Sequence, residues 1–316
     1  MEFPAVNMRC PLCGTTEAAL VRTVPDDRSA VSAQHAVLCC RTCDHWFLDF
    51  DRIDQNDPRL YVDHYSSQSR KRWDRIYIAL RSTIFRSPLF RYWTMWDGDQ
   101  YFLGAAAAER GLRLLDFGCF EGRVLRQYLR CGYRAEGLEN NPAAAETAMR
   151  TGAPVYVGDV NVLPPSARYD VIVMAGVLEH LERPIEVLTR LHDQLISGGV
   201  LRISCPNRDS VFQPVFGPHW ANWHAPFHRS HYRARHVATL LERVGFTVSS
   251  VRTVSPSVDL MRSTLSALRL QADLRFPLVP WAILITATYA FLLKPLIFTI
   301  NRTGHGDCLL IEARRS

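Results

Sequence analysis

The segment spanning residues 113–125 constrains the fold more than any other part of the chain. It reads Arg-Leu-Leu-Asp-Phe-Gly-Cys-Phe-Glu-Gly-Arg-Val-Leu, which predicts a buried strand, a turn containing Gly118 and Gly122, and the start of a helix. Glycines in such a turn let the backbone approach a ligand closely at the helix N-terminus. Asp116, at the tip of the strand, suits a ligand with a cationic amino group better than a pyrophosphate. The segment therefore predicts an α/β sheet that binds a nucleoside-type ligand.

Further strands that end in acids follow along the chain. Residues 133–140 predict a strand ending in Glu139, about twenty positions after the glycine turn, where a carboxylate can accept hydrogen bonds from both ribose hydroxyls. Asp159 follows the next predicted strand, and its carboxylate can accept from an adenine amino group. The later predicted elements complete an alternating α/β pattern: a strand running into a loop over 169–181, a helix at 184–196, a strand at 198–207, a helix at 234–244, a strand at 246–254 and a last strand from 307.

Two Cys-x-x-Cys pairs stand near the N-terminus. Cys10 and Cys13 form the first pair, Cys40 and Cys43 the second, and 26 residues separate the pairs. Four thiolates at this spacing predict a tetrahedral zinc site with no position open for water, hence a structural site. The intervening residues 19–38 predict a short hairpin. Two reserve ligands lie beside the second pair: Cys39 and, less favoured, His45.

Composition narrows the class of protein. The 316 residues suffice for one large α/β domain with a small appendage. The net charge is +6, but arginine outnumbers lysine 35 to two, a bias of a GC-rich genome rather than a sign of nucleic-acid binding. The basic stretch at 70–91 fits a solvated helix face better than a phosphate-binding patch. The first residues lack a secretory signal pattern, so we expect a cytoplasmic protein whose clustered cysteines bind metal instead of forming disulfides.

Taken together, residues 110–315 resemble class I S-adenosylmethionine-dependent methyltransferases, in the broad group that includes the ubiquinone-pathway O-methyltransferases. The resemblance implies a Rossmann-like, seven-stranded sheet with its last strand antiparallel, and S-adenosylmethionine as co-substrate. The prefix with the two cysteine pairs, followed by Tyr61 and Tyr65, also resembles methyltransferases of bacterial polysaccharide and natural-product pathways. The cofactor-binding residues implied are Asp116, Gly118, Cys119, Gly122, Glu139, Asn140, Asp159 and Val160.

The loop after the fourth strand carries one departure from that family. Residues 177–181, Val-Leu-Glu-His-Leu, match the loop, but the ubiquinone-pathway enzymes have Glu-x-x-Glu-His, and this chain has Gly176 at the first acid. A family-like divalent metal at Glu179 and His180 would therefore lack one ligand.

Residues that could receive a methyl acceptor are expected at the carboxyl ends of the strands. The candidates are Glu179, His180, Asn207 and the segment 219–232, which holds four histidines and several large aromatic side chains. Histidine has a suitable pKa to take a proton from a hydroxyl group. The predicted catalytic residues are His180, His224 and His228, and we favour His224 or His228 as general base.

About fifty residues separate the last two predicted strands, where a short hairpin is usual in this fold. Residues 278–293 carry no charge but fall short of the ~20 residues that cross a bilayer, and a single crossing is excluded because both flanking strands belong to one sheet. Two crossings would need a second apolar run, and the only other candidate, residues 260–274, is amphipathic, which disfavours a double span. Two interpretations remain: 258–302 contact a membrane surface, with Arg275, Lys294 and Arg302 as basic flanks, or they form a buried helical hairpin on the domain or at a homodimer contact.

We therefore expect a zinc ribbon at 1–50, a helical linker or cap region at 51–109, and a methyltransferase domain at 110–316 with a helical apolar insertion at 255–305. The expected activity is S-adenosylmethionine-dependent methyl transfer to a small or lipid-linked acceptor, such as a hydroxyl of a sugar or secondary metabolite, in the cytoplasm or at the inner face of the membrane. RNA methylation is one alternative, disfavoured because Ala-Gly-Val-Leu at 175–178 lacks an Asn/Asp-Pro-Pro-aromatic motif. A non-catalytic interaction module is the other, disfavoured by the intact cofactor acids.

Overall fold

The structure, a computed structural model, describes residues 5–26, 34–49, 102, 109–268 and 278–316. Within them the chain forms two sheets, one of seven strands and one of five. The predicted α/β class is confirmed. The expected linker or cap region at 51–109, with its basic stretch and its tyrosines, lies outside the described residues except for 102 and 109.

The large sheet has the strand order β7-β6-β5-β8-β9-β12-β11. Neighbouring strands from β7 to β9 pair in parallel, whereas β12 pairs antiparallel with both β9 and β11. The predicted seven-stranded sheet with an antiparallel last strand is thus confirmed. Its strands are β5 (Arg113–Phe117), β6 (Arg134–Glu139), β7 (Val155–Val157), β8 (Tyr169–Ala175), β9 (Leu195–Pro206), β11 (Phe246–Val254) and β12 (Cys308–Arg315).

Helices connect these strands and cover the sheet. The central strand β5 is apolar and buried from Leu114 to Phe117, with only Asp116 polar, so both faces of the sheet need a helical cover. The helices described are α1 (Arg123–Cys131), α2 (Pro142–Met149), α3 (Pro184–Gln194), α4 (Phe212–Phe216), α5 (Ala234–Arg243), α6 (Ser257–Ala267), α7 (Leu278–Ala287) and α8 (Lys294–Arg302). Helix α3 is two residues shorter than expected, because Leu195 already begins strand β9.

The small sheet contains the N-terminal ribbon, which we define as strands β1 (Ala5–Asn7), β2 (Glu17–Pro25), β3 (Gln34–Cys40) and β4 (Trp46–Leu48). The predicted hairpin is present as β2 and β3. Its fifth strand, β10 (Ser230–His231), comes from the C-terminal part of the chain and pairs antiparallel with β4. The ribbon therefore shares a sheet with the segment that follows the predicted catalytic histidines.

The insertion between β11 and β12 comprises α6, α7, a π-helical turn (Thr288–Leu292) and α8. Helix α6 packs inward through Leu260, Met261 and Leu265, which are buried. The outer part differs, because several of its large apolar side chains are more than half exposed: Trp281, Leu284, Phe291, Leu292, Leu296 and Phe298. A hairpin buried on its own domain is therefore not what the structure shows. Residues 269–277, including Arg275, lie outside the described part.

In the described part of the chain, no single helix is long and apolar enough to cross a bilayer, while one bent pair, Leu284–Leu292 with Lys294–Arg302, passes on those two criteria and is bent by 62°.

Candidate functional site

The glycine turn after β5 forms a cradle at the carboxyl edge of the sheet. Gly118 and Gly122 both adopt positive φ, 81° and 72°, and the amides of Gly118 and Cys119 donate to the Leu138 carbonyl. A side chain at Gly118 would lie 2.5 Å from Val177 Cγ2, and one at Gly122 would lie 2.9 Å from the Ala148 backbone. Both positions therefore require glycine, as expected where a backbone must approach a ligand closely.

Glu139 ends strand β6 and faces this cradle. Its Oε2 accepts from the Phe120 amide at 2.9 Å and its Oε1 from the Asn141 amide at 2.8 Å. These bonds fix the carboxylate while each oxygen keeps a second lone pair for a ligand hydroxyl. The side chain is 7% exposed, so a ligand bound there would be largely shielded from water. The geometry fits the ribose-binding role that the sequence predicts.

Asp116 lies at the tip of β5, beside Glu139. Burial and the nearby Glu139 charge raise the pKa of Asp116 to about 7. Among the described residues its Oδ2 has no hydrogen-bond partner. A buried carboxylate with a raised pKa and an unpaired oxygen gains most from a cationic partner. The amino group of S-adenosylmethionine has that charge.

The other predicted cofactor residues surround the same cradle. Asp159 is exposed and caps a short helical turn (Val160–Val162) by accepting from the Asn161 amide at 2.8 Å and its side-chain amide at 3.3 Å. One lone pair on each oxygen remains for an adenine amino group. Cys119 and Val160 are buried, whereas Asn140 is exposed.

The loop after β8 touches the cofactor cradle directly, through the contact of Gly118 with Val177. A short helical turn (Leu178–His180) follows and carries Glu179 and His180. Glu179 is only 2% exposed, and burial raises its pKa to about 8. Within the described chain, its Oε2 has no hydrogen-bond partner.

Three predicted catalytic histidines meet at this loop. The ring centroids of His180 and His228 are 4.7 Å apart, and that of His224 lies 4.8 Å from His228. Burial, with the nearby His224, lowers the pKa of His180 to about 3, and burial also lowers the pKa of His228 far below its usual range. Both rings are therefore neutral at physiological pH. His224 is only half-buried and has a left-handed backbone with φ of 36°, a strained conformation that functional loops often contain.

The other predicted acceptor residues make different contacts. Asn207 is buried and its amide donates to the Gly304 and Gly306 carbonyls, so it fastens the turn before β12. His219 pairs with Ser266 on α6, and His231 is buried against Trp223. Backbone carbonyls thus hold Asn207 and a helix contact holds His219, whereas neither ring nitrogen of His231 has a hydrogen-bond partner among the described residues. That these three residues receive an acceptor stays a prediction.

Asp307 is a residue whose role the sequence did not reveal. It is fully buried just before β12 and accepts hydrogen bonds from Ser210, Trp220 and Asn222, at 2.7–2.9 Å. Burial and the Asp259 charge raise its pKa to about 7. The acid therefore ties the segment that leads to the histidines onto the last strand. The only available signal was an acid placed directly before an apolar strand.

The four predicted zinc ligands converge at the tip of the ribbon. Cys10 Sγ lies 3.6 Å from Cys43 Sγ, and Cys13 Sγ lies 3.5 Å from Cys40 Sγ. Two sulfurs bound to one zinc at 2.3 Å would be about 3.8 Å apart in a tetrahedral site, so the four residues fit zinc. The reserve ligands do not take part, since Cys39 contacts Asp44 and the buried His45 ring pairs with Ser230.

The ribbon packs against the segment that carries His224 and His228. The Leu48 amide donates to the Arg229 carbonyl at 3.0 Å, one residue after His228. Trp46 stacks on Trp223 with ring centroids 6.0 Å apart, next to His224. Asp44 forms ion pairs with three arginines from the second half of the chain: Arg208, Arg233 and Arg235. The ribbon thus supports the backbone on both sides of the histidine segment.

Comparison with known proteins gives the family. A model described as a methyltransferase domain matches residues 91–251, just over half of the chain. The ubiquinone biosynthesis O-methyltransferase of Cereibacter sphaeroides is 30% identical over 127 residues, 37% of this chain and 51% of that protein. A probable S-adenosylmethionine-dependent methyltransferase of Mycolicibacterium smegmatis is 31% identical over 141 residues, 44% of this chain and 53% of that protein. The chain thus spans about half the length of these relatives.

Among solved structures, an S-adenosylmethionine-dependent methyltransferase from Mesorhizobium loti aligns with a TM-score of 0.44 at 18% identity, covering 67% of this chain and 100% of that one. The domain match, the strand order and the glycine cradle with its acids agree with one another. The chain belongs to the methyltransferase domain family and has the class I S-adenosylmethionine-dependent methyltransferase fold.

Proposed function

We propose that this chain transfers the methyl group of S-adenosylmethionine to a hydroxyl group of a small or lipid-linked acceptor. One observation carries the proposal: the close approach of Gly118 to Val177 brings the cofactor cradle against the loop that holds Glu179 and His180. An acceptor at the histidine cluster would therefore lie beside the methyl group. Glu139 would bind the ribose, Asp116 the amino group and Asp159 the adenine.

Methyl transfer requires little covalent help from the protein, because the sulfonium already carries a good leaving group. The acceptor oxygen attacks the methyl carbon, the carbon–sulfur bond breaks, and its electron pair stays on sulfur to give S-adenosylhomocysteine. The enzyme mainly aligns the two reactants. The hydroxyl proton must also leave, and His224 is our candidate base, because it is half-buried beside the two neutral rings.

We also propose that Cys10, Cys13, Cys40 and Cys43 hold one structural zinc ion. The short sulfur–sulfur distances support this proposal. Zinc here would have no open position for substrate, and its function would be to keep the ribbon folded beside the acceptor segment.

The exposed insertion supports a lipid-linked acceptor. Six large apolar side chains between Trp281 and Phe298 are each at least 55% exposed among the described residues. Exposed apolar residues concentrated in one segment are typical of a surface that contacts a membrane or a partner. Lys294 and Arg302 lie within the same segment and favour anionic head groups. On its inner side, α6 reaches the acceptor segment through the bond from the Ala221 amide to Ser263. We therefore propose that the insertion rests on a membrane surface and presents a lipid-linked substrate to the histidines.

Calorimetry with S-adenosylhomocysteine tests the cofactor site. Glu139→Ala should weaken binding about 30- to 150-fold, because it removes a charged acceptor worth roughly 2–3 kcal/mol. Glu146→Ala is the matched control, since Glu146 is exposed on the neighbouring helix α2 and should bind like the parent chain. If the parent chain binds no S-adenosylhomocysteine, the whole proposal fails; if Glu139→Ala binds normally, the ribose assignment fails.

Flotation with anionic vesicles tests the membrane contact. Replacing Trp281, Leu284 and Phe291 with serine should reduce the lipid-bound fraction more than about tenfold, because it removes three of the six exposed apolar side chains. Ile196→Ser, at an apolar side chain 40% exposed on the large sheet, is the control and should float like the parent. A parent chain that stays with the soluble fraction at low salt refutes the contact. A triple variant that changes oligomeric state instead identifies the patch as a homodimer contact.

A further inference from the structure

We infer that Glu179, His180 and His228 form a second metal site, distinct from the four cysteines, which takes a divalent ion of the transition series. One potential ligand atom of each residue lies within 4.8 Å of those of the other two. The inference rests on the proposed function, because the ion would sit where the acceptor hydroxyl is expected.

The backbone around the two histidines prepares them as ligands. His180 Nδ1 lies 2.9 Å from the Phe227 carbonyl oxygen, and His228 Nδ1 lies 2.8 Å from the Asn222 carbonyl oxygen. A carbonyl only accepts, so each Nδ1 carries the hydrogen and each Nε2 keeps a free lone pair. Metal-binding histidines commonly donate their other ring nitrogen to a backbone carbonyl in this way, which fixes the tautomer and the ring orientation.

Glu179 supplies the third ligand. Its Oε1 lies 3.8 Å from His228 Nε2, too far for a hydrogen bond, so two electron-rich atoms face each other across a buried gap. Its Oε2 has no hydrogen-bond partner in the part of the chain that the structure describes. A buried carboxylate oxygen without a partner is costly, and a cation about 2.1 Å from Glu179 Oε1 and His228 Nε2 would fit this gap. The gap and the unpartnered oxygen both point to a cation.

The third ligand comes from a different loop than the family pattern implies. A side chain at Gly176 would begin only 3.7 Å from Glu179 Oε1, so this position lies beside the site but carries no ligand. His228, on the loop before β10, takes that place instead. Two imidazoles and one carboxylate favour Mn²⁺, Fe²⁺, Co²⁺ or Zn²⁺ over Mg²⁺, which prefers oxygen ligands. Such an ion would supply a Lewis acid for the acceptor oxygen, next to His224.

Cobalt titration of the full-length chain tests the site by absorption rather than by activity. Co²⁺ bound to four cysteines gives strong thiolate charge-transfer bands, whereas Co²⁺ bound to histidine and carboxylate gives only weak visible bands. The parent chain should show both signals. His228→Ala and Glu179→Gln should keep the charge-transfer bands and lose the weak bands, with affinity lowered more than about 100-fold, beyond the effect of losing an outer partner.

His219→Ala is the matched control, because His219 belongs to the same segment but lies apart from the three residues, and it should keep both signals. A variant that binds S-adenosylhomocysteine with an affinity within about twofold of the parent is folded. If His228→Ala fails this check, the nearly isosteric Glu179→Gln still tests the inference. Weak bands that persist in both variants, or a site that prefers Mg²⁺, overturn the inference. Loss of S-adenosylhomocysteine binding in the parent would instead refute the proposed function.

Discussion

The proposed cofactor side of the large sheet, around the glycine turn, and its proposed acceptor side, around the histidines, are assembled in different ways. On the cofactor side, Asp116, Glu139 and Asp159 each lie at or just after the end of a successive strand. On the acceptor side, Glu179 and His180 come from one loop and His224 and His228 from another. Asp307, just before the last strand, holds the second loop in place, and the N-terminal ribbon packs against it.

Because of this difference, we expect a substitution on one side to leave the binding properties of the other side unchanged. The cofactor cradle is held by contacts within a short stretch of chain, such as the bond from the Phe120 amide to Glu139. The acceptor side depends on contacts between residues far apart in the chain, such as that of His236 with the Cys43 carbonyl, 193 positions away. Loss of one distant support should therefore alter acceptor chemistry while cofactor affinity is kept.

The largest effect is expected from Cys10→Ser. A structural zinc supplies on the order of 10 kcal/mol in isolated zinc modules, so losing one ligand should unfold the ribbon and release β10. Hydrogen exchange should then accelerate at residues 46–48 and 230–231, while S-adenosylhomocysteine affinity stays near that of the parent. Cys39→Ser is the control, because Cys39 contacts Asp44 and lies outside the four-sulfur cluster. If Cys10→Ser also lost S-adenosylhomocysteine affinity, folding of the ribbon and binding at the cofactor side would be coupled, contrary to the prediction.

A smaller loss of stability is expected from Asp307→Ala. The substitution leaves three buried donors without their acceptor, on Ser210, Trp220 and Asn222, and should lower the free energy of unfolding by about 3–5 kcal/mol. Denaturant titration measures this loss, and calorimetry should find the cofactor affinity unchanged. Asp193→Ala, at an exposed carboxylate, should lose less than about 0.5 kcal/mol. If both variants lost a similar free energy of unfolding, Asp307 would not stabilise the acceptor side.

The smallest effect concerns the cofactor side and depends on pH. Because the pKa of Asp116 in the free chain is about 7, binding a cationic amino group at pH 6 first requires the loss of a proton. Affinity for S-adenosylhomocysteine should therefore fall on the order of tenfold from pH 7.5 to pH 6. Asp116→Asn should abolish this dependence, whereas Asp159→Asn should keep it. An affinity independent of pH in the parent chain would contradict the assignment.

The same pKa shift has the opposite consequence for stability without cofactor. The folded chain holds the Asp116 proton more tightly than the unfolded chain does, so this group's contribution to the free energy of unfolding declines as pH rises from about 4 to about 7. Asp116→Asn should therefore raise the melting temperature above pH 7 while it weakens cofactor binding. Thermal scans at pH 5 and pH 8 compare the two chains.

Sequence reasoning was most successful where structure is local. The glycine turn, the acids at strand ends and the cysteine pairs act over a few residues, so their spacing predicted the sheet and the sulfur cluster. Local spacing could not predict that the Asn207 amide donates to the Gly304 and Gly306 carbonyls, or that Asp307 accepts from Trp220. The partners in these bonds are 87–99 positions apart. Proximity of histidines in sequence was only partly informative. His224 and His228 lie against His180, whereas His219 pairs with Ser266 and the buried His231 ring lies against Trp223.

The strand pairing of β4 with β10 has a consequence for the newborn chain. His45 and its partner Ser230 are 185 positions apart, so at 5–20 residues per second roughly 10–40 s pass on the ribosome before β10 can reach β4. During that interval the ribbon exposes an open strand edge, the kind of surface that pairs with neighbouring chains. Nascent copies on one polysome are such neighbours, so the yield of soluble protein should depend on translation speed and on chaperones that cover this edge.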